Sequence, residues 1–361
     1  MANISSVGVG IPSYEIKQDE VKDLVRNLFP YSKRKMDRLI PVFDNANIQK
    51  RQLVVEKDWF LEEHPFEEKN NLYMKYAEEQ SLKAIDHCLD NDNHLESSIP
   101  YKAIDLLVYV SSTGIATPSL DVQIINKRPF REDIARMPLW GLGCAGGAIG
   151  LSRVYDWISA NPTKTALLVC CELCSLTFQK EDVKKSNLIG TALFGDGAAA
   201  LLVMGEDSSY RSKSKGTQPK IKQVHSYTKK NSMDVMGWKV SNTGLEVIFS
   251  KSIPSLVNSM WKKHVQKFLN CHGLTEPDIH SFIAHPGGKK VLEAMKESLN
   301  TSVNKLSHSY EVLKNHGNMS SVTILYVLNE WMKESIPDQS YSILSALGPG
   351  FSSELLLLEW I

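Results

Sequence analysis

The chain has 361 residues, of which 42% are hydrophobic and 23% are charged, an ordinary composition for a globular protein with a sizeable core. This length predicts either two domains or one large duplicated domain. The 41 basic side chains balance the 41 acidic ones, which excludes a global electrostatic attraction to nucleic acid or to a membrane surface.

The N-terminal residues lack the basic and apolar regions of a signal peptide, and no apolar run approaches the length of a membrane span. We therefore expect a cytoplasmic, soluble protein with no nucleic-acid partner and no membrane span. Six cysteines in such a chain are expected to be free thiols rather than a disulfide framework.

The predicted elements of the first half alternate between strands and helices. A continuous apolar run over 103–110 is typical of a strand that is covered on both faces. In chain order we predict a strand over 3–11, helices over 21–28, 32–40 and 67–88, the strand 103–110, a helix over 118–126, a strand and turn over 137–144, a helix over 145–160, a strand over 165–171, a helix over 181–191 and a strand over 197–204.

Residues 206–222, rich in Ser, Lys and Gly, are predicted to form an exposed connection between two halves. The second half is predicted to contain a strand near 221–228, a helix over 253–269, a strand over 279–284, helices over 288–299 and 319–334, and a strand over 341–346. This alternation predicts an α/β fold, and the shared rhythm of the two halves indicates an internal duplication.

One cysteine is distinguished by its neighbours. Cys144 lies in the glycine-rich stretch from Trp140 to Gly150, where an extended segment gives way to a helix. Free N–H groups and the dipole at a helix N-terminus favour the thiolate form. On this stretch alone, a buried structural cysteine is as good an interpretation as a nucleophile. The C-x-x-C pair Cys171 and Cys174 lacks the further ligands of a zinc site, so we expect core cysteines and no metal.

Two further polar stretches stand at the ends of predicted elements. His285 follows the apolar run 279–284, and Asn318 lies in a polar turn that opens a helix. Either could be a strand-end residue or a helix cap without chemistry. Beside a cysteine, however, a histidine can hold a thiolate–imidazolium pair, and an amide can donate to an oxygen that becomes negative. The three residues predict nucleophilic acyl chemistry, with hydrolysis, acyl transfer and decarboxylative condensation all open.

These stretches, with the motifs at 111–114, 192–200 and 346–350, resemble those of the type III polyketide synthases, the chalcone synthase-like branch of the thiolase superfamily. Within that family the chain is similar to the Bacillus-type bacterial enzymes that make alkylpyrones. The resemblance implies a duplicated αβαβα thiolase fold, whose halves would span 1–212 and 213–361, and a homodimer. It also implies coenzyme A thioesters as substrates, with no metal and no other cofactor.

The resemblance also implies roles for particular residues. Cys144 would carry the acyl chain, while His285 and Asn318 would promote decarboxylation of malonyl-CoA and stabilise the enolate and oxyanions. The substrate pocket would include Ser112, Thr113, Thr117, Cys174, Thr177, Phe194, Trp238, Val247, Ser320, Gly348, Pro349 and Gly350. The phosphates of coenzyme A would be held by Lys35, Arg38, Lys50 and Arg51.

Departures from the plant members of the family bear on the substrate. Val247 stands where plant enzymes keep phenylalanine and Cys174 where they keep threonine, which implies a wider gate and a less polar wall. Trp238 stands where chalcone synthases keep glycine, which would shrink the cyclisation cavity. Thr117 matches a loop residue that reaches across the dimer. We therefore expect a fatty acyl-CoA starter, few extensions with malonyl-CoA, and release of alkylpyrones by lactonisation.

Other functions remain open at this point. An alkylresorcinol-forming type III polyketide synthase would share these residues. A ketoacyl synthase III-like enzyme would require a carrier protein, and the basic cluster over 31–51 would suit its docking. A hydroxymethylglutaryl synthase would require a glutamate near Cys144, for which no motif is present. A non-catalytic scaffold would not need Cys144, His285 and Asn318 together.

Overall fold

The computed structural model describes all 361 residues. Its first half contains the strands β1 (Ala2–Gly10), β2 (Tyr14–Lys17), β3 (Lys50–Leu53), β4 (Leu106–Val110), β5 (Ala135–Leu139), β6 (Thr165–Leu173) and β7 (Asp196–Gly205). The helices of this half are α1 (Gln18–Leu28), α2 (Lys33–Leu39), α3 (Pro41–Asp44), α4 (Phe66–Leu89), α5 (Leu120–Lys127), α6 (Gly146–Ala160) and α7 (Lys185–Leu193).

The second half contains the strands β8 (Pro219–Thr228), β9 (Met236–Ser241), β10 (Gly244–Phe249), β11 (Ile279–Ala284), β12 (Tyr341–Gly348) and β13 (Ser352–Trp360). Its helices are α8 (Ile253–Leu256), α9 (Lys262–Cys271), α10 (Lys289–Leu299), α11 (Ser307–His316) and α12 (Thr323–Trp331). None of the helices combines the length and the apolar character that a membrane span requires.

Nine strands are hydrogen-bonded in the order β11-β12-β13-β8-β1-β7-β6-β4-β5. Within this order, the strands of each half are neighbours. The first half contributes β5, β4, β6, β7 and β1, and the second half contributes β8, β13, β12 and β11. Only two residue pairs, Ala2 with Ile221 and Asn3 with Lys220, join β1 to β8. The arrangement is therefore two sheets that meet at one short seam.

Three apolar cores define the layers of the fold. Alternate residues of β4 point to opposite faces, so that Leu107 and Tyr109 pack with α4, whereas Leu106 and Val108 pack with α6 and α12. The middle core also receives residues of β11, β12 and β13, and a third core packs the other face of those strands against α9 and α10. The layers run helix, sheet, helix, sheet, helix, which confirms the predicted α/β fold with αβαβα layering.

The structure also differs from several predictions. The exposed connection ends earlier than expected, because Pro219 and Ile221 are buried in β8. The helix predicted from 319 begins at Thr323, since 320–322 form a tighter 3₁₀ turn. The strands β2, β3, β9, β10 and β13 and the helix α11 were not predicted. The division into halves at 212 falls in the segment between β7 and β8 and stays a prediction.

A buried histidine links α9 to the second sheet. His264 is hydrogen-bonded to His225 of β8 at 2.8 Å and to the hydroxyl of Ser353 of β13 at 2.9 Å. Burial, followed by the charge of His225, lowers the pKa of His264 to about 4. The low pKa makes His264 neutral at physiological pH. Both of its ring nitrogens are hydrogen-bonded to the second sheet, so its role is structural.

Candidate active site

Cys144 lies in a 3₁₀ turn, Gly143–Ala145, that leads directly into α6. Gly143 has a left-handed φ of +48°, and a Cβ atom there would lie 2.7 Å from the ring of Pro349. The Gly143 N–H donates to the hydroxyl of Ser112 at 3.1 Å. A Cβ at Gly348 would lie 2.5 Å from that of Ala145. Glycines are therefore required where this turn packs on the segment after β12.

The electrostatics of the thiol differ from the sequence-based prediction. Burial raises the pKa of Cys144 to about 11, although hydrogen bonds with the side chains of Ser320 and Asn318 and with the backbone amide oppose the shift. The position at a helix start was expected to favour the thiolate. In this structure, desolvation outweighs the helix terminus, because a buried sulfur loses the water that would solvate its charge. The resting cysteine is a neutral thiol.

Asn318 is held in place by backbone and side-chain contacts on both sides. Its N–H donates to Leu193 O at 2.8 Å, and its own carbonyl accepts from Gly195 N at 3.1 Å. The side-chain Oδ1 accepts from Ser320 N at 2.8 Å and lies 4.0 Å from the Cys144 sulfur. The amide Nδ2 donates to Gly287 O at 3.4 Å. These contacts place the Asn318 amide between the thiol and the turn that follows His285.

His285 stands directly after β11, and its N–H donates to Ser345 O of β12 at 2.8 Å. The side chain is buried, and neither ring nitrogen has a hydrogen-bond partner. Burial alone lowers the pKa of this imidazole to about 3. Burial of both groups opposes the thiolate–imidazolium pair that the sequence leaves open, because each charged form would lose its hydration.

A buried carboxylate near the thiol was not among the residues predicted from the sequence, in which no glutamate motif near Cys144 is present. Glu172 of β6 accepts from Ser112 N at 2.9 Å and from the hydroxyl of Ser321 at 2.7 Å. Burial raises its pKa to about 7, and its charge in turn raises the pKa of Cys144. An acidic residue inside the apolar run 165–173 was the available signal. Glu172 ties together the loops on two sides of the thiol.

An apolar cavity is bordered by the segment that follows β6. Cys174 and Thr177 form part of its wall. Burial raises the pKa of Cys174 well above its ordinary value, with smaller contributions from the charges of Glu172, Asp196 and Cys144. Cys144 itself does not line the cavity. The opposite wall was not predicted: it is the apolar face of α1, with Val21, Leu24 and Leu28.

Phe194 and Val247 also line this cavity. The Phe194 ring lies 6.0 Å from Trp238 and 5.7 Å from Phe249, measured between ring centroids. Trp238 is directly opposite Val247 in the β9–β10 hairpin. Trp238 does not line this cavity but packs against Phe194, which does. That Trp238 shrinks the cyclisation cavity stays a prediction.

The remaining pocket predictions divide into two groups. Ser112, Thr113, Ser320 and the segment 348–350 surround the Cys144 turn, where Thr113 Oγ1 accepts from Leu173 N at 2.9 Å. Thr117 is exposed and lies outside the apolar cavity. No group of three or more His, Cys, Asp or Glu side chains is placed to hold a metal ion.

The residues predicted to hold coenzyme A phosphates have different surroundings. Arg51 is only 2% exposed, and its guanidinium donates to Gln18 and to three backbone carbonyls of 191–194. Its assignment to phosphate binding is corrected, since its donors already hold β3 to α7. Lys50 pairs with Glu15 at 2.8 Å, and Lys35 covers the Tyr31 ring at 3.7 Å. Arg38 is exposed. Phosphate binding by Arg38, Lys35 and Lys50 stays a prediction.

Comparison with known proteins covers the whole chain. Residues 1–208 match the family described as chalcone and stilbene synthases, N-terminal domain, and residues 224–361 match the C-terminal domain of that family. A Bacillus subtilis (strain 168) protein that carries a provisional chalcone synthase name is 45% identical over 361 residues, which cover 100% of this chain and 99% of that protein.

Two further relatives extend the comparison. An alpha-pyrone synthesis polyketide synthase-like protein of Mycobacterium tuberculosis is 28% identical, and the match covers 100% of this chain and 92% of that protein. The crystal structure of 1,3,6,8-tetrahydroxynaphthalene synthase from Streptomyces coelicolor A3(2) has a TM-score of 0.91 and 27% identity, with 99% of both chains covered. The chain therefore belongs to the chalcone and stilbene synthase family and is a type III polyketide synthase, an acyltransferase that extends acyl groups by decarboxylative condensation.

Proposed function

We propose that this enzyme condenses a long-chain fatty acyl-CoA with malonyl-CoA and releases alkylpyrones. The observation that carries the proposal is the apolar cavity lined by Cys174 and Thr177, whose walls include the apolar face of α1. An alkyl chain gains roughly 0.8 kcal/mol for each methylene group that it buries, so such a wall favours long chains over small polar starters. The alpha-pyrone name of the mycobacterial relative supports a pyrone product.

In the first step, Cys144 would carry the acyl group. Its sulfur attacks the thioester carbonyl of the acyl-CoA, and the tetrahedral intermediate expels coenzyme A, which leaves with the proton of the thiol. The transfer exchanges one thioester for another, so no oxidant or reductant is needed. Because the resting thiol is buried and neutral, its proton has to leave as the carbon–sulfur bond forms.

In the second step, His285 and Asn318 would act on malonyl-CoA. The bond to the carboxylate breaks, carbon dioxide leaves, and the electron pair moves onto the thioester oxygen to give an enolate. A neutral imidazole has one N–H donor, and the Asn318 amide has one hydrogen beyond its long contact with Gly287. Two such donors suit a developing oxyanion.

In the remaining steps, the enolate carbon attacks the acyl thioester of Cys144, and the thiolate leaves and is reprotonated. Each condensation leaves the extended chain as a thioester of coenzyme A, and the chain is transferred back to the Cys144 sulfur, with release of coenzyme A, before the next extension. A second or third extension gives a triketide or tetraketide thioester. The enol oxygen at the fifth carbon of the chain then attacks the thioester carbonyl, expels the thiol and closes the six-membered lactone. Lactonisation requires no redox chemistry and no further substrate.

Product analysis tests this function directly. Purified enzyme is incubated with malonyl-CoA and with acyl-CoA esters of about 6 to about 18 carbons. Across this range the number of methylene groups that the acyl chain can bury increases steadily. We expect triketide and tetraketide pyrones by mass spectrometry, with kcat/KM rising with chain length. Formation of resorcinols alone would contradict the pyrone proposal, and a strict requirement for a carrier protein would contradict the use of acyl-CoA.

The gate offers a matched pair of variants for the same assay. Val247→Phe adds bulk where Val247 lines the cavity beside Phe194, so kcat/KM for palmitoyl-CoA should fall by about tenfold or more relative to hexanoyl-CoA. Val240→Phe makes the same change at an exposed position of the neighbouring strand, where it should leave the chain-length profile unchanged. Equal profiles for the two variants would remove Val247 from the acyl path.

A homodimer is also part of the proposed function. Strand β5 is the edge of the sheet and is hydrogen-bonded only to β4, and Trp140, 53% exposed, follows it directly. Exposed Ile115 lies on the neighbouring loop, whose Gly114 carbonyl accepts from the Trp140 indole at 2.9 Å. An unpaired edge beside exposed apolar side chains suits pairing with a second copy of this chain.

The dimer is tested at this surface. Trp140→Glu places a charge on the proposed interface, and we expect sedimentation velocity to show a monomer at micromolar concentration. Val183→Glu, a change at an exposed apolar residue remote from β5 in sequence, is the control and should leave a dimer. A wild-type monomer would contradict the proposal.

The six free cysteines and the use of coenzyme A thioesters support a cytoplasmic site of action.

A further inference from the structure

Strands β9 and β10 form a hairpin that is a separate two-stranded sheet. A hairpin of this kind is only marginally stable in water, so its position depends on what it packs against. Val247 of the hairpin lines the apolar cavity, while Trp238 and Phe249 pack against Phe194. Whatever holds the hairpin therefore fixes one wall of the cavity.

The turn of the hairpin approaches the first turn of α4 and the segment after Thr177. Gly244 has a φ of +127°, and a Cβ there would lie 3.0 Å from Gln179 Nε2 and 3.4 Å from the Phe66 ring. Across this contact, the ammonium of Lys69 donates to Thr243 O at 3.2 Å and to Phe178 O at 2.9 Å. Phe178 lines the cavity. One side chain therefore joins the hairpin to a second cavity wall.

Lys69 is an unusual residue for this position. It is 7% exposed and forms no salt bridge, and its burial lowers its pKa to about 8. A buried ammonium without a carboxylate partner costs stability, and an apolar side chain would fill the same space at lower cost. Packing of α4 alone does not account for a lysine at this position. The hydrogen bonds from Lys69 to the two carbonyls do account for it.

A second contact to the hairpin provides a comparison. Lys184 pairs with Glu246 of β10 at 2.7 Å, but the Lys184 side chain is 60% exposed. An exposed ion pair contributes little, because water and salt screen the attraction and two long side chains must be ordered. The buried contact at Lys69 should therefore hold the hairpin, whereas the Lys184 pair should not.

We propose that Lys69 is a positioning residue that fixes the β9–β10 hairpin against Phe178 and thereby sets which acyl chains the cavity accepts. Its ammonium offers three donors, two of which are used on the two walls. The fatty nature of those chains rests on the function proposed above. The position of the hairpin does not, since it follows from contacts within the chain.

The test compares Lys69→Met, which keeps the length of the side chain without its donors, with Lys69→Arg and Lys184→Met. Hydrogen exchange of amides 236–249 should speed up by about tenfold or more in Lys69→Met and stay unchanged in Lys184→Met. The ratio of kcat/KM for palmitoyl-CoA to that for hexanoyl-CoA should change by about fivefold or more in Lys69→Met only. In Lys69→Arg, both values should stay at the wild-type level. The rate of malonyl-CoA decarboxylation should stay within about twofold of the wild-type rate in all three variants.

Unchanged hairpin exchange and an unchanged acyl-CoA ratio in Lys69→Met would overturn the proposal. If that variant fails to fold, Gly244→Ala displaces the hairpin turn from Gln179 with Lys69 intact and should produce the same two changes. A wild-type enzyme that rejects fatty acyl-CoA would refute the proposed starter. The exchange measurement, together with the ratio for two acyl-CoA esters that the enzyme does accept, would still decide the role of Lys69.

Discussion

Replacing Cys144 by alanine should lower polyketide formation by at least about 10³-fold, because it removes the sulfur proposed to carry the acyl chain as a thioester. Intact-mass spectrometry of the wild type after incubation with palmitoyl-CoA should show one added palmitoyl group, and the variant should show none. The same variant should still release carbon dioxide from malonyl-CoA, since His285 and Asn318 remain in place.

Cys271 provides the control for this experiment, because it is the exposed thiol among five buried ones. Cys271→Ala should keep both the acyl adduct and the products at wild-type levels. An adduct that persists in Cys144→Ala and disappears in Cys271→Ala would show that the exposed thiol, rather than Cys144, reacts with acyl-CoA. Products from Cys144→Ala at more than a few per cent of the wild-type rate would contradict covalent loading at this residue.

The candidate catalytic residues could be singled out from the sequence because their signals are local. A cysteine among glycines, a histidine after an apolar strand and an asparagine in a polar turn each mark a junction between elements. The α/β class was predictable for a related reason, since apolar runs such as 103–110 and 165–171 identify buried strands. The αβαβα layering was implied by the family resemblance.

Properties that depend on distant contacts could not be predicted in this way. Arg51 looked like an accessible cation in a basic cluster, yet its guanidinium is buried against carbonyls about 140 residues away in the chain. The helix start at Cys144 indicated a lowered pKa, but the extent of burial, which decides the shift, follows from packing of the whole site. The cavity wall formed by α1 and the hydrogen bonds of Lys69 likewise depend on long-range contacts, and the local sequence of neither segment indicates them.

Replacing His285 by leucine should separate catalysis from folding. Neither ring nitrogen of His285 is hydrogen-bonded, so the imidazole contributes no polar contact to the fold. An apolar side chain in that buried place should leave the free energy of unfolding unchanged or raise it slightly. Decarboxylation of malonyl-CoA should nevertheless fall by about 10²- to 10³-fold, the effect expected when one donor to a developing oxyanion is removed.

His264 is the matched control, since it is also buried but uses both ring nitrogens to hold His225 and Ser353. His264→Leu should lower the free energy of unfolding by about 1–3 kcal/mol, because the buried Ser353 hydroxyl loses its partner. Decarboxylation by the folded protein should stay near the wild-type rate. Denaturant unfolding at one protein concentration and release of acetyl-CoA from malonyl-CoA measure the two quantities. A loss of stability in His285→Leu equal to that in His264→Leu would make His285 structural, and retained decarboxylation would remove it from the reaction.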